Sequence, residues 1–161
     1  MDYSAASGTP LTAQRFLDQY GHSALTIRDT DSIIDAASHF HASVGGKKYS
    51  VAVVLDDNFL VVGVLSLGDI VFAIHQHMEK IFTMSVADIM AKQIHAAKLS
   101  DDIVSLLKRM AELDIRHMPV VENRVLKGLI TRKDALEGLY DDAALELKSL
   151  TQFVFRSDAR Y

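Results

Sequence analysis

One seven-residue pattern occurs twice in this chain and limits what it can fold into. It reads Gly63-Val64-Leu65-Ser66-Leu67-Gly68-Asp69 and, 65 residues later, Gly128-Leu129-Ile130-Thr131-Arg132-Lys133-Asp134. In each copy a β-rich apolar run stops at a hydroxyl residue, a carboxylate follows three positions on, and an apolar helical run begins. The hydroxyl stands where a helix N-cap belongs. The first turn of such a helix has free N–H groups and a partial positive charge, so it attracts anions. Thr131 can donate a hydrogen bond there, and Asp134 can accept from paired hydroxyls such as a ribose offers. Arg132 and Lys133 add positive charge beside the same spot. The plainer reading of one copy is a capping box, in which the two side chains satisfy the helix's own amides. Recurrence of the whole pattern argues for more than capping.

The rest of the chain repeats in the same order. Residues 1–22 read as a polar tail followed by a short helix from Thr12 to Tyr20, ended by Gly21. In residues 23–82, Ala24 to Ile27 is a strand, and Asp31 opens a helix with Ile33, Ile34, Ala37 and Phe40 on one face. Ser50–Leu55 and Phe59–Leu65 form a hairpin around Asp56-Asp57-Asn58, and Ser66 starts a helix expected to bury Ile70, Val71, Ile74 and Met78. Residues 83–93 are a connector with a helical turn at Val86 to Met90. In residues 94–141, Ile94–Leu99 reads as a strand and Ser100-Asp101-Asp102 caps a helix. A second hairpin turns at Glu122-Asn123-Arg124, and Thr131 begins the closing helix.

The register is consistent: Asp31 and Asp101 stand 70 residues apart, Val53 and Val120 stand 67 apart, and Gly63 and Gly128 stand 65 apart. The first copy is longer only in two turns, where length changes are tolerated. Two β-α-β-β-α units follow. Neither has enough core to stand comfortably alone, so they are expected to pack sheet against sheet.

Composition narrows the classes. A chain 49% hydrophobic and 24% charged is ordinary for a globular protein. A net charge of −4 argues against a general nucleic-acid or anionic-membrane surface. The absence of Cys excludes disulfides, thiolate metal sites and Cys nucleophiles. No apolar run approaches the ~20 residues that span a bilayer, and the N-terminal stretch is unlike a secretory signal, so a cytoplasmic protein is expected.

Residues 24–140 resemble a tandem pair of CBS (cystathionine-β-synthase) domains, a Bateman module. The matching parts are the doubled β-α-β-β-α order, Arg116-His117-Met118-Pro119-Val120-Val121 before the second hairpin, and the two Gly-x-x-Ser/Thr-x-x-Asp endings. The resemblance implies an α+β fold with two CBS repeats about a pseudo-two-fold axis and flanking terminal helices. It further implies a non-catalytic sensor of an adenine nucleotide (AMP, ADP, ATP or NAD) or S-adenosylmethionine, bound as a ligand in two inter-repeat clefts, with no required cofactor. A homodimer is the expected assembly, and a regulated partner protein stays open.

Carried over by residue, the resemblance gives one cleft Thr131 and Asp134 for the ribose and Arg132 and Lys133 for phosphate. Leu129 would form its apolar shelf, with Ile27 and Lys48 reaching in from the first repeat. The other cleft would use Ser66 and Asp69 for the ribose, Val64 as shelf, and Arg116 and His117 as phosphate donors. Leu67 and Gly68 stand where nucleotide-binding relatives often carry a basic residue, so the clefts are not expected to be equivalent.

Other chemistry finds less support. The pairs His39/His41 and His75/His77 are two apart on helices and face different directions, so no metal site is expected. No nucleophile, base and orienting group share a motif, so no catalytic residues are assigned. The tail, residues 142–161, suggests a helix to about Leu150 and then an extended Gln152–Phe155, covering a partner subunit, the N-terminal helix or its own module. A different class of reading is a ligand-free interaction or dimerisation module.

Overall fold

The computed structural model describes the backbone of residues 9–41, 44 and 46–157, with side chains described through residue 148. Helix α1 (Ala13–Tyr20) starts at Thr12, whose hydroxyl accepts from the Arg15 amide, and stops at Gly21. The first repeat follows as β1 (Thr26–Arg28), α2 (Ile33–His39), β2 (Val51–Leu55), β3 (Val61–Ser66) and α3 (Leu67–His77). A 3-10 turn (Met78–Thr83) and α4 (Val86–Ile89) connect to the second repeat, α5 (Ile103–Glu112), β4 (His117–Glu122), β5 (Val125–Thr131) and α6 (Arg132–Ser157). None of the described helices is long and apolar enough to cross a membrane.

The first sheet has the order β1-β2-β3, with β1 parallel to β2 and β2 antiparallel to β3. The second is the β4-β5 hairpin, whose two-residue turn puts Asn123 and Arg124 at φ 51° and 65°. Two successive left-handed residues match the twist of the flanking strands. The strand expected at Ile94–Leu99 contracts to one parallel bridge between Ala97 and Val120. Its backbone groups go elsewhere: the Lys98 amide donates to the Asp101 carboxylate at 3.0 Å, and the Ala96 carbonyl accepts from Arg109 at 2.8 Å.

The repeats exchange their lead-in segments. The amides of Ala13 and Gln14 donate to Asp101 and Leu99 carbonyls at 2.8 and 2.9 Å, so α1 begins on the second repeat. In mirrored fashion, Val86 and Ala87 donate to Asp31 and Asp29 carbonyls, both at 2.9 Å, so α4 sits on the first. Packing follows the same exchange. Leu11, Phe16 and Leu17 are buried with Ile103, Leu106, Met110 and Ile130, while Val86 joins Ile33, Val53, Leu65 and Ile70. Burying an apolar side chain of that size contributes about 1.5–3 kcal/mol. The reciprocal bonds make the pseudo-two-fold relation a property of the backbone. At the hairpin ends the sheets also meet, through the Val61 amide and the Arg124 carbonyl at 2.8 Å.

Two expectations about helices need correction. In α3 the buried residues are Ile70 and Ala73, whereas Val71, Ile74 and Met78 face solvent. Apolar residues lie all round this helix, and periodicity does not say which stripe turns inward. Ile34 of α2 is likewise exposed. The closing helix and the tail form one continuous 26-residue α6, not a helix followed by an extended piece at Gln152–Phe155. Between Tyr140 and Ser157 there is no Gly or Pro to end it. Helix α1 lies along α6, where Arg15 pairs with Asp142 at 2.6 Å and the Tyr20 hydroxyl donates to Asp141 at 3.2 Å. The side chains of Leu150, Phe153 and Phe155 lie outside the described residues.

Candidate functional site

Two cavities open between the repeats, one beside each strand-to-helix junction. The larger, of about 780 Å³, has Thr131 and Asp134 on one wall and Lys47, Lys48, Tyr49 and Ser50, from the approach to β2, on the other. Arg116 and His117, at the start of β4, also line it, together with Lys133, Leu136 and Glu137 of α6. The smaller, of about 490 Å³, lies between Val51 and Val64 of the first sheet and Ile94, Ile115 and Pro119 of the second repeat. Ser66, Leu67 and Gly68 close its end, and Ser50, Arg116 and His117 belong to both cavities.

The motif glycines have a steric reason. A β-carbon on Gly63 would stand 2.6 Å from Met90 Sδ, and one on Gly128 would stand 2.7 Å from Leu17 Cδ2. Each glycine is thus where the exchanged lead-in segment presses on the strand that ends in the hydroxyl residue.

The two acids differ. At the smaller cavity, Asp69 Oδ2 accepts from the Ser66 amide at 2.7 Å and from the Ser66 hydroxyl at 2.6 Å, while Ser66 Oγ accepts from the Asp69 amide at 3.1 Å. This is a closed capping box, and Asp69 does not line the cavity. The same box recurs at Ser85 and Asp88, where hydrogen bonds from Ser85 hold the Asp88 carboxyl below the usual carboxylate range. Asp134 is arranged otherwise. Its amide donates to Thr131 Oγ1 at 3.0 Å, but its carboxylate turns to the Lys47 ammonium, 3.1 Å away across the larger cavity.

The remaining sequence-predicted residues divide. Lys48, Arg116, His117 and Lys133 line the larger cavity, and Val64 lines the smaller. Arg132 borders the larger one, but its guanidinium donates to the Met110 and Ile115 carbonyls at 3.1 and 2.7 Å, tying down the end of α5. Its Nε is buried without a protein partner. Leu129 and Ile27 form no shelf. Both are buried in the first repeat's core, because β5 turns Leu129 toward the opposing sheet and Ile27 lies beneath α2. Sequence reasoning passed over Lys47, which lies in the turn where the first copy is longer, and Tyr49, whose hydroxyl donates to the Ser23 carbonyl at 3.0 Å.

The electrostatics follow from this arrangement. Lys47, Lys48, Arg116 and Lys133 surround the larger cavity against Asp134 and Glu137, so an anion entering it meets a cationic rim. Burial, reinforced by neighbouring Arg116, lowers the pKa of His117, and Asp134 opposes the shift in part. Burial and then the charge of Asp134 raise that of Tyr49. Among the described residues no group of three His, Asp or Glu side chains converges to hold a metal ion.

Exchanged lead-in segments with two grooves between the repeats define a tandem repeat pair, not a single-pocket domain. A family model for the CBS domain matches the chain twice, over residues 21–76 and 86–141, and the chain belongs to that family. A tandem CBS pair is a regulatory module, and such proteins are generally non-catalytic. Among solved structures, the chain resembles a CBS-domain-containing protein from Agrobacterium tumefaciens, with 26% identity and a TM-score of 0.69 over 83% of this chain and 96% of that one. It also resembles the CBS domains of a transcriptional regulator from Streptococcus pneumoniae, with 25% identity and a TM-score of 0.61 over 79% and 98% of the two chains. A third CBS domain pair, 21% identical with a TM-score of 0.61 over 74% and 93%, was solved in complex with 5′-methylthioadenosine and S-adenosyl-L-methionine. A comparison with curated protein sequences found no match.

Proposed function

We propose that this chain is a non-catalytic regulatory module that binds an adenine nucleotide in the larger inter-repeat cleft and answers with a change of shape or assembly. The observation that carries this is the contrast between the two acids. Asp134 directs its carboxylate across an open cavity with a cationic rim, whereas Asp69 is closed onto its own helix start. In this reading Asp134 and Thr131 grip the ribose, while Lys48, Arg116, His117 and Lys133 meet the phosphates. The related pair solved with 5′-methylthioadenosine and S-adenosyl-L-methionine supports the adenosine part of that ligand, and the cationic rim supports the phosphate part.

The response requires different affinities in two arrangements of the repeats. An exposed apolar face on α3 and the following turn, with Val71 66%, Phe72 64%, Met78 72% and Phe82 71% accessible, supports a homodimer as the assembly that responds.

Isothermal titration with AMP, ATP, NADH and S-adenosylmethionine tests the reading. Heat with at least one ligand, lost in Asp134→Ala and kept in Asp69→Ala, is the expected result. The second reading, an interaction module with empty clefts, rests on the same exposed apolar face. It predicts no heat with any of the four and a dimer indifferent to nucleotide.

A further inference from the structure

Lys47 stands at the end of a tight turn in which its backbone and that of Val44 exchange two hydrogen bonds, at 2.9 and 3.1 Å. Gly46, at φ 78°, makes the turn possible. The turn is part of the length that the first repeat has and the second lacks, and among the described residues Asp69 has no matching ion pair, its carboxylate accepting from Ser66 instead. From this anchored backbone the Lys47 side chain, 43% accessible, crosses the cleft to an Asp134 carboxylate only 17% accessible. The acid best placed to grip a ribose is therefore already occupied by a cation of the protein itself.

We infer that Lys47 is a charge-selecting latch on the Asp134 cleft, admitting adenosine ligands that carry phosphate and disfavouring those that do not. The inference rests on the nucleotide reading above and narrows its ligand class. A ribose whose two hydroxyls take both Asp134 oxygens displaces the ammonium from Oδ1. A neutral nucleoside offers nothing in return, so the ion pair is lost and Lys47 must be rehydrated. A ligand whose phosphate lies beside its ribose brings an oxyanion to the released ammonium, which then acts with Lys48 and Arg116 rather than against binding. A sulfonium ligand such as S-adenosylmethionine brings a like charge and fares worst. One side chain thus penalises one class and assists the other, and its removal must move their affinities in opposite directions.

The experiment is titration calorimetry of the full chain and of Lys47→Met, Lys47→Arg and Lys48→Met with adenosine and with ATP. In Lys47→Met, adenosine is expected to bind about threefold to fivefold more tightly, the scale of a half-exposed ion pair. ATP is expected to bind about tenfold more weakly, from loss of a charge-assisted phosphate contact. Lys47→Arg retains the wild-type preference, and Lys48→Met weakens ATP without strengthening adenosine. Wild-type binding of ATP with an unchanged preference in Lys47→Met, or an equal loss for both ligands, overturns the latch and leaves the nucleotide reading standing. No binding of either ligand to wild type or to any variant overturns both.

Discussion

Gly128 and Leu17 lie so close that a β-carbon on the glycine would stand 2.7 Å from Leu17 Cδ2, although Leu17 is in the lead-in helix α1 and Gly128 is in the second repeat. Leu17 is fully buried and has little room to yield. Gly128→Ala is therefore expected to cost about 1–3 kcal/mol, the usual scale of overpacking. Gly63→Ala meets the half-buried Met90 thioether, which can swing aside, but also the carbonyl of Ala91 at 3.1 Å, a residue held in place by two hydrogen bonds with Val64. A cost on the same scale is expected. Urea unfolding of both variants reads the cost, and equal stability of either variant and wild type would contradict the packing described.

Arg132 belongs to the stability of the second repeat more than to ligand recognition. Its guanidinium holds the Met110 and Ile115 carbonyls at the end of α5. Charge-assisted bonds of this kind are worth about 1.5–3 kcal/mol, so Arg132→Ala should lower the melting temperature by about 3–12 °C. Differential scanning calorimetry without ligand reads the effect. A variant that melts with wild type but loses nucleotide affinity would return Arg132 to the phosphate role.

Asp69→Ala removes an intact capping box and should cost about 0.5–2 kcal/mol of stability. Asp134→Ala keeps the amide-to-Thr131 bond and loses a partly exposed ion pair, so it should cost less than about 1 kcal/mol. Parallel chemical denaturation of the two distinguishes them, and the reverse order would mean the acids had exchanged roles.

Acid should weaken the fold through His117. Its pKa in the folded protein lies below the ordinary histidine value, so the unfolded chain binds its proton first. Stability then rises with pH across that interval, and what His117 contributes above pH ~6.5 is lost as pH falls through the lower, folded value. Comparing urea midpoints at pH 7.5 and 5.5 for wild type and His117→Asn isolates this share. His117→Asn is expected to lose less stability on acidification, and an identical loss would remove His117 as a cause.

The exposed apolar face of α3 and the turn after it gives a fifth measurable consequence. Phe72→Glu and Phe82→Glu place charge on that face and should shift a homodimer to monomer in light scattering coupled to size exclusion. Neither side chain is part of the core, so each variant should keep its unfolding midpoint. A wild type that is already monomeric would end the assembly proposal.

Local chemistry explains how much was readable in advance. Alternating strands, capping hydroxyls and turn residues act between neighbours in the chain, and they located both hairpins, α1, α5 and the twin junctions at Ser66 and Thr131. The same short-range logic misled where two local answers were equally good. An α3 apolar on several sides does not reveal that Ile70 and Ala73 face inward, and a strand signal at Ile94–Leu99 does not reveal that Asp101 and Arg109 take its backbone groups.

By itself, the chain's order of residues determined the doubled unit and the residue types gathered at each junction, because both follow from pattern and spacing, and the family was visible there as a resemblance carried by the same motifs. Only the tertiary structure decided that α1 and α4 change places between repeats, that Leu129 and Ile27 are core, and that Arg132 holds α5. It also decided that Lys47, not a neighbouring amide, meets Asp134. The physical reason is the same in each case: a side chain settles with whichever partner packing brings within reach, and those partners stand far away along the chain.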